Sequence, residues 1–186
     1  MQRVHESELV SVLDYPSGRD RFDYYDIQAG ESPVSLWLRI PDKLDRPIAV
    51  SGGFWTPEVY VTVQEERYVV LFHEEGSILV IDTETRTFAH KAIWTSEVVE
   101  FDSFLVFFGY MELVVLRGDR FAEVSFDHDF GIERNGEAIV SFDPAGVVNV
   151  KDGSPNGDLD SDIDLKALFE SRQQALSFEQ FRIKTT

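Results

Sequence analysis

The chain lacks cysteine and has few basic residues. Its 186 residues include no cysteine, 17 lysines and arginines, and 34 aspartates and glutamates, which gives a formal net charge of −17. Without cysteine there is no disulfide framework, no thiolate metal site and no cysteine nucleophile. The excess of acids argues against binding to nucleic acid or to anionic membrane surfaces, because both interactions need lysine and arginine to meet phosphates.

Long apolar segments are missing as well. Apolar runs are short, such as Phe104–Phe108 and Leu113–Leu116, whereas a membrane-spanning helix needs about 20 apolar residues. The first residues, Met1–Glu8, contain acids where a secretory signal peptide has an apolar core. We therefore expect a cytoplasmic protein, and its hydrophobic content of 43% is enough for a folded core.

The motifs of the common enzyme classes are absent too. The sequence has no G-x-S-x-G element, no P-loop and no dinucleotide-binding glycine motif. The histidines lack zinc-ligand spacing; they are His5, His73, His90 and His128. A glycosidase-like pair of acids stays open, because the separation of two carboxylates is not visible in a sequence. We predict no catalytic residue and no cofactor apart from a candidate calcium ion, and the sequence leaves open whether the protein has any catalytic activity.

Most of the chain has the pattern of β-strands. Apolar and polar residues alternate with period two in segments bounded by glycine, asparagine, aspartate and proline. The predicted strands are 35–40, 58–63, 68–72, 77–81, 104–108, 113–116, 121–126, 138–142 and 147–150. Short strands separated by tight turns predict a mainly β fold of antiparallel meander sheets.

The C-terminal region has a different period. Leu165, Leu168, Phe169 and Leu176 share one face if residues 161–176 form a helix, and Ser161 would be its N-cap. We predict a single domain, 1–186, in which this C-terminal helix packs on the sheets.

One stretch of the predicted sheet resembles a known repeat. Tyr68–Trp94 has a strand, a turn at Gly76, a strand, a turn that opens at Asp82, a further strand and Trp94. This order resembles a blade segment of quinoprotein-type or WD-type β-propellers. The strand–turn–strand pattern occurs two more times along the chain, at intervals of about 35 residues. The resemblance implies a partial or small propeller-like arrangement. A two-sheet sandwich is the alternative, because a closed propeller needs at least about four blades.

An aspartate-rich loop is the candidate metal site. Five aspartates occur in residues 152–164, with Gly157 at the sixth position of the loop. The pattern resembles the calcium loop of EF-hand and dockerin modules, in which alternate oxygen ligands surround one ion. The predicted ligands are Asp152, Ser154, Asn156, Asp158 and Asp160. Ile163 stands where that loop has its bidentate acid, so a solvated acidic loop beside the helix start is the alternative interpretation.

Aromatic residues supply the candidate partner-binding site. Phe54 and Trp55 follow a double glycine, and we predict that they form an exposed aromatic anchor, because loops often carry binding residues. Tyr24, Tyr25, Trp37 and Trp94 are, with Trp55, candidates for a sugar-stacking or partner-binding face.

The sequence thus favours a non-catalytic, acidic protein-interaction module with a basic protein partner. Its negative charge is spread along the chain and would steer a basic partner towards it. In composition it resembles small acidic proteins that neutralise basic nuclease toxins. A small-molecule or carbohydrate-binding protein or hydrolase that uses loop aromatics and acids, and a calcium-stabilised β domain, are the alternatives. The oligomeric state stays open.

Overall fold

The computed structural model describes residues 11–13, 21–29, 35–52, 60–72, 77–93, 95–109, 112–125, 138–143, 145–152 and 160–186. Their strands are β1 (Ser11–Leu13), β2 (Asp23–Gln28), β3 (Ser35–Arg39), β4 (Ile48–Ser51), β5 (Tyr60–Gln64), β6 (Tyr68–Phe72), β7 (Ser77–Asp82), β8 (Thr87–Ala92), β9 (Thr95–Phe101), β10 (Phe104–Gly109), β11 (Glu112–Arg117), β12 (Arg120–Ser125), β13 (Ala138–Asp143), β14 (Val147–Asp152), β15 (Asp160–Asp164), β16 (Gln174–Ala175), β17 (Glu179–Gln180) and β18 (Arg182–Thr185). Helix α1 (Leu165–Arg172) lies between β15 and β16.

These elements form two compact units. Trp94–Leu176 form the inserted unit, and Gln2–Ile93 with Ser177–Thr186 form the discontinuous unit. The expected mainly β fold with antiparallel sheets and a C-terminal helix is confirmed. The prediction of a single domain stays a prediction.

The discontinuous unit contains two five-stranded sheets. Sheet 1 has the order β1-β3-β4-β2-β18, and sheet 2 has the order β17-β8-β7-β6-β5. One face of each sheet contributes to a shared core that includes Ile27, Leu38 and Ile48 from sheet 1 and Leu71 and Leu79 from sheet 2. In sheet 1, β2 and β4 pair in parallel, which departs from the expected antiparallel meander.

The central strands of sheet 2 are buried on both faces. Every residue of β6 and of β7 is buried, although alternate residues of a strand point to opposite faces. Such strands have nearly continuous apolar sequences instead of a clean alternation. The buried aspartate at the end of β7, Asp82, is therefore an unusual residue in its position and needs polar partners.

The inserted unit contains sheet 3, with the order β16-β12-β11-β10-β9, and sheet 4, with the order β13-β14-β15. Val106, Val115, Val148 and Val150 from these sheets share a core with the buried Leu165 of α1. Val148, Val150 and Ile163 of sheet 4 thus face this core, and Asn149 and Asp162, at alternate positions of the β14–β15 ladder, lie on the other face.

Helix α1 is shorter than predicted. It begins after Asp164, because Ser161–Asp164 pair with β14 as part of β15. The N-cap is Asp164 instead of Ser161, and its carboxylate accepts a hydrogen bond from the Ala167 N–H at 2.9 Å. The helix ends at Arg172, because the next residues pair with β12 as β16. Three of the four predicted apolar residues, Leu165, Leu168 and Phe169, are buried by the helix.

The segment after α1 adds an edge strand to three sheets in turn. β16 pairs with β12 of sheet 3, β17 with β8 of sheet 2 and β18 with β2 of sheet 1, each antiparallel. The residues of these strands are exposed, and Phe181, between β17 and β18, packs against the core of the discontinuous unit.

Candidate functional site

The outward face of sheet 4 is the candidate site. In the β14–β15 ladder, Asn149 pairs in register with Asp162, and Val147 pairs with Asp164. Val148 and Val150 occupy the alternate positions of β14 and are buried in the core. Asp162 and Asp164 are exposed. We call Asp162 and Asp164 the acidic edge, because β15 is a terminal strand of its sheet.

The carboxylates around this edge are held by neutral donors. The Asn149 side-chain amide donates to Asp162 Oδ1 at 2.6 Å, and the Ala167 N–H donates to Asp164 Oδ1 at 2.9 Å. On the opposite edge strand, β13, the Ala145 N–H donates to Asp143 Oδ1 at 2.8 Å in the β13–β14 turn, at the same end of the sheet as Asp164. These bonds fix the positions of the carboxylates, but a neutral donor does not cancel the negative charge.

Asp82 of the discontinuous unit is held differently, by a cation. Arg67 Nε donates to its Oδ1 at 2.7 Å and Arg67 Nη2 to its Oδ2 at 2.5 Å. Thr85 Oγ1 adds a bond of 2.6 Å, and the Glu84 N–H adds another. Burial raises the pKa of Asp82, but these hydrogen bonds outweigh burial and lower the pKa to about 2. The same pairing raises the pKa of Arg67.

Two further acids of this unit also lie beside cations. Lys184 Nζ is 2.7 Å from Oδ2 of the buried Asp26, and this contact raises the pKa of Lys184. The Tyr25 hydroxyl donates to Asp45 Oδ1 at 2.7 Å, and Arg46 and Arg86 approach the same carboxylate at 3.6 Å. The hydrogen bond from Tyr25 is the main cause of the lowered pKa of Asp45, and burial is the main cause of the raised pKa of Tyr25.

The predicted calcium ligands lie at the connection between β14 and β15. Asp152 ends β14 and Asp160 begins β15, so antiparallel strands flank the loop. Ser154, Asn156 and Asp158 lie outside the described residues. In the part of the chain that the structure describes, no three His, Asp or Glu side chains gather as a metal-binding group. The calcium site stays a prediction.

The predicted aromatic anchor, Phe54 and Trp55, also lies outside the described residues. Of the other aromatic candidates, Tyr25 is 1% and Trp37 7% exposed. The Trp37 ring packs 4.8 Å from the ring of Tyr24 and 6.0 Å from that of Phe22, measured between centroids. Tyr25 and Trp37 therefore do not offer an open stacking face.

Sequence reasoning identified the acids of β15 as part of a loop and a helix start, but not as an edge strand. It did not find the pairing of Asp82 with Arg67 or of Asp26 with Lys184, because residues far apart in sequence meet only through strand register. The sequence offered one indication of these pairings, which was the turn that opens at Asp82 in the blade-like segment. Among the described residues, no helix has the length and apolar character to cross a membrane.

Comparison of the chain with protein-family models, with curated proteins and with solved structures gave no match. The function proposed below therefore depends on the residues and geometry of this chain.

Proposed function

We propose that this chain is a non-catalytic protein-interaction module that binds a basic protein partner through the acidic edge of its inserted unit. The observation that carries the proposal is the difference in how acids are held. Asp26, Asp45 and Asp82 lie beside cations of their own unit, whereas the exposed Asp162 and Asp164 accept hydrogen bonds from neutral groups. Among the described side chains, no cation forms an ion pair with Asp162 or Asp164, so their charge is available to a partner.

The energetic scale favours a partner with several cations. An exposed ion pair contributes about 0.2–1 kcal/mol, so two carboxylates alone give weak binding. The net charge of −17 adds long-range attraction, which raises association rates with a basic partner and weakens as salt screens it over a Debye length of about 8 Å at physiological ionic strength. The contacts at the acidic edge then determine the affinity, and the negative net charge of the chain raises the association rate.

The test compares two charge-matched variants. Asp162→Asn with Asp164→Asn removes two charges from the edge, and asparagine keeps both the acceptor for Asn149 and the helix cap. Glu65→Gln with Glu66→Gln removes two exposed charges from the β5–β6 turn of the other unit. Immobilised wild-type chain and the turn variant should retain the same basic protein from a lysate, and the edge variant should lose it.

The elution of that protein should shift to lower salt for the edge variant only. Equal losses in both variants would mean that net charge, not the edge, determines binding. Retention of proteins that are not basic would contradict the proposal.

Three finer predictions accompany this function. They are the propeller-like arrangement of sheets, the cytoplasmic location, and calcium binding by the loop from Asp152 to Asp160. For calcium, we expect millimolar Ca²⁺ to raise the melting temperature relative to an EDTA control, because a ligand that binds the folded state stabilises it. An unchanged melting temperature would contradict calcium binding.

A further inference from the structure

Sheet 4 differs from the other sheets at the outer edge of its last strand. Sheets 2 and 3 are meanders whose last strands, β8 and β12, each carry one more antiparallel strand from the segment after α1. Sheet 1 gains β18 in the same way. In sheet 4, β15 occupies the corresponding last position, and no strand among the described residues pairs with its outer edge.

The hydrogen-bond phase of β15 shows which backbone groups face outwards. The Leu165 N–H donates to the Gly146 carbonyl at 3.0 Å. The odd-numbered residues of β15 therefore form the backbone hydrogen bonds to β14. Because bonded and non-bonded pairs alternate along such a ladder, the backbone groups of Asp162 point away from β14. The backbone N–H and C=O of Asp162 therefore lie at the open edge, on the same residue as an exposed carboxylate.

We propose that the outer edge of β15 takes an extended segment of the basic partner as a fourth, antiparallel strand of sheet 4. This inference rests on the proposed function and adds the mode of binding. Addition of a strand supplies backbone hydrogen bonds, while side chains at alternate positions supply specificity. The edge strands β16 and β17 show that the equivalent positions of sheets 2 and 3 accept such a strand.

The residues of β15 define the partner sequence. A residue opposite Asp162 exchanges both backbone hydrogen bonds with it and places its side chain on the same face, so lysine or arginine fits there. The residue opposite Ile163 lies on the other face, where Ile163 packs against the core of the inserted unit, so an apolar residue fits. The partner segment therefore alternates basic and apolar residues.

The charges also argue against a second copy of β15 as the occupant. Two antiparallel copies centred on Asp162 would place aspartates directly opposite one another, and like charges across a strand pair are destabilising. The charge of the acidic edge thus disfavours pairing with a second copy of β15 and favours pairing with a cationic strand.

The test uses three peptides of equal charge with the full chain. The first is a capped peptide of alternating lysine and valine. The second carries N-methyl groups on the lysines, whose N–H groups would face β15, and the third carries them on the valines, whose N–H groups would face solvent. We expect the first and third to bind, and the second to bind about tenfold more weakly, because about two hydrogen bonds of roughly 0.5–1.5 kcal/mol each are lost.

Amide exchange supplies the location. Binding of the first peptide should slow exchange of the Asp162 N–H, and Asp162→Asn with Asp164→Asn should weaken binding while Glu65→Gln with Glu66→Gln should not. Equal affinity of all three peptides would overturn strand addition and leave the proposed function intact. The same conclusion would follow if the first peptide did not bind at 1 mM, since a dissociation constant of 1 mM corresponds to about 4 kcal/mol of binding free energy. Slowed exchange at Asp162 that depends on protein concentration without peptide would assign the edge to a second copy and also overturn the inference.

Discussion

The ion pair between Arg67 and Asp82 makes the stability of the discontinuous unit depend on pH in the acid range. The Asp82 carboxylate is 6% exposed, and its pKa falls from 3.8 to about 2 in the folded chain. The difference, multiplied by about 1.36 kcal/mol per pKa unit, is about 2 kcal/mol of unfolding free energy. Because the folded pKa is the lower one, this stability is present above pH 3.8 and is lost as the pH falls towards 2.

The assay compares the wild-type chain with Asp82→Asn by urea unfolding at pH 5, 4, 3 and 2. Asparagine does not titrate, so the difference in unfolding free energy between the two chains isolates the carboxylate. We expect that difference to shrink by about 2 kcal/mol from pH 5 to pH 2. The change should be half complete near pH 3, between the unfolded and folded pKa values.

A second variant checks the cause. In Arg67→Met the buried carboxylate keeps its threonine and backbone donors but loses its cation, and we expect the variant to be less stable than wild type at pH 7, because the buried charge is no longer paired. That variant should become less unstable, relative to wild type, as Asp82 is protonated. A difference between wild type and Asp82→Asn that stays constant from pH 5 to pH 2 would refute the reasoning.

Three further predictions concern turns and caps. Gly146→Ala should cost about 3 kcal/mol in thermal or urea unfolding, because Gly146 has φ +90° and a Cβ there would overlap the Phe101 ring; a loss below about 1 kcal/mol would contradict this. Asp164→Ala should cost about 1 kcal/mol and Asp164→Asn only a few tenths, because asparagine also caps helices; equal losses would contradict the assigned cap. Glu65→Asn with Glu66→Gly should stabilise by about 1 kcal/mol, since both residues have positive φ, 53° and 54°, which Asn-Gly adopts more easily; a lower melting temperature would contradict this.

The fold was predictable where local pattern decides structure. The central strands β6, β7 and β10 were found within one residue of their observed ends, because their continuous apolar runs lie between clear turns. The sequence pattern did not identify β2 or β4, and their parallel pairing with each other joins segments that are distant in the chain.

The C-terminal region shows the limit of periodicity most clearly. Helical spacing correctly placed Leu165, Leu168 and Phe169 on a buried face, but it extended the helix over residues that pair as strands at both ends. β16 is only two residues long, and its structure depends on β12 as its partner rather than on its own propensity. For the same reason, the aspartates of β15 were visible in the sequence, whereas their position at a sheet edge was not.

The order of the strands along the chain has a consequence during synthesis on the ribosome. β17 and β18, which complete sheets 2 and 1, are made only after the whole inserted unit, Trp94–Leu176, has been translated. At about 5–20 residues per second this interval lasts on the order of ten seconds. During that time the edges of β8 and β2 lack their final strands, and open edges favour pairing with other nascent chains. Newly made chains should therefore need chaperone protection most while the inserted unit is being translated.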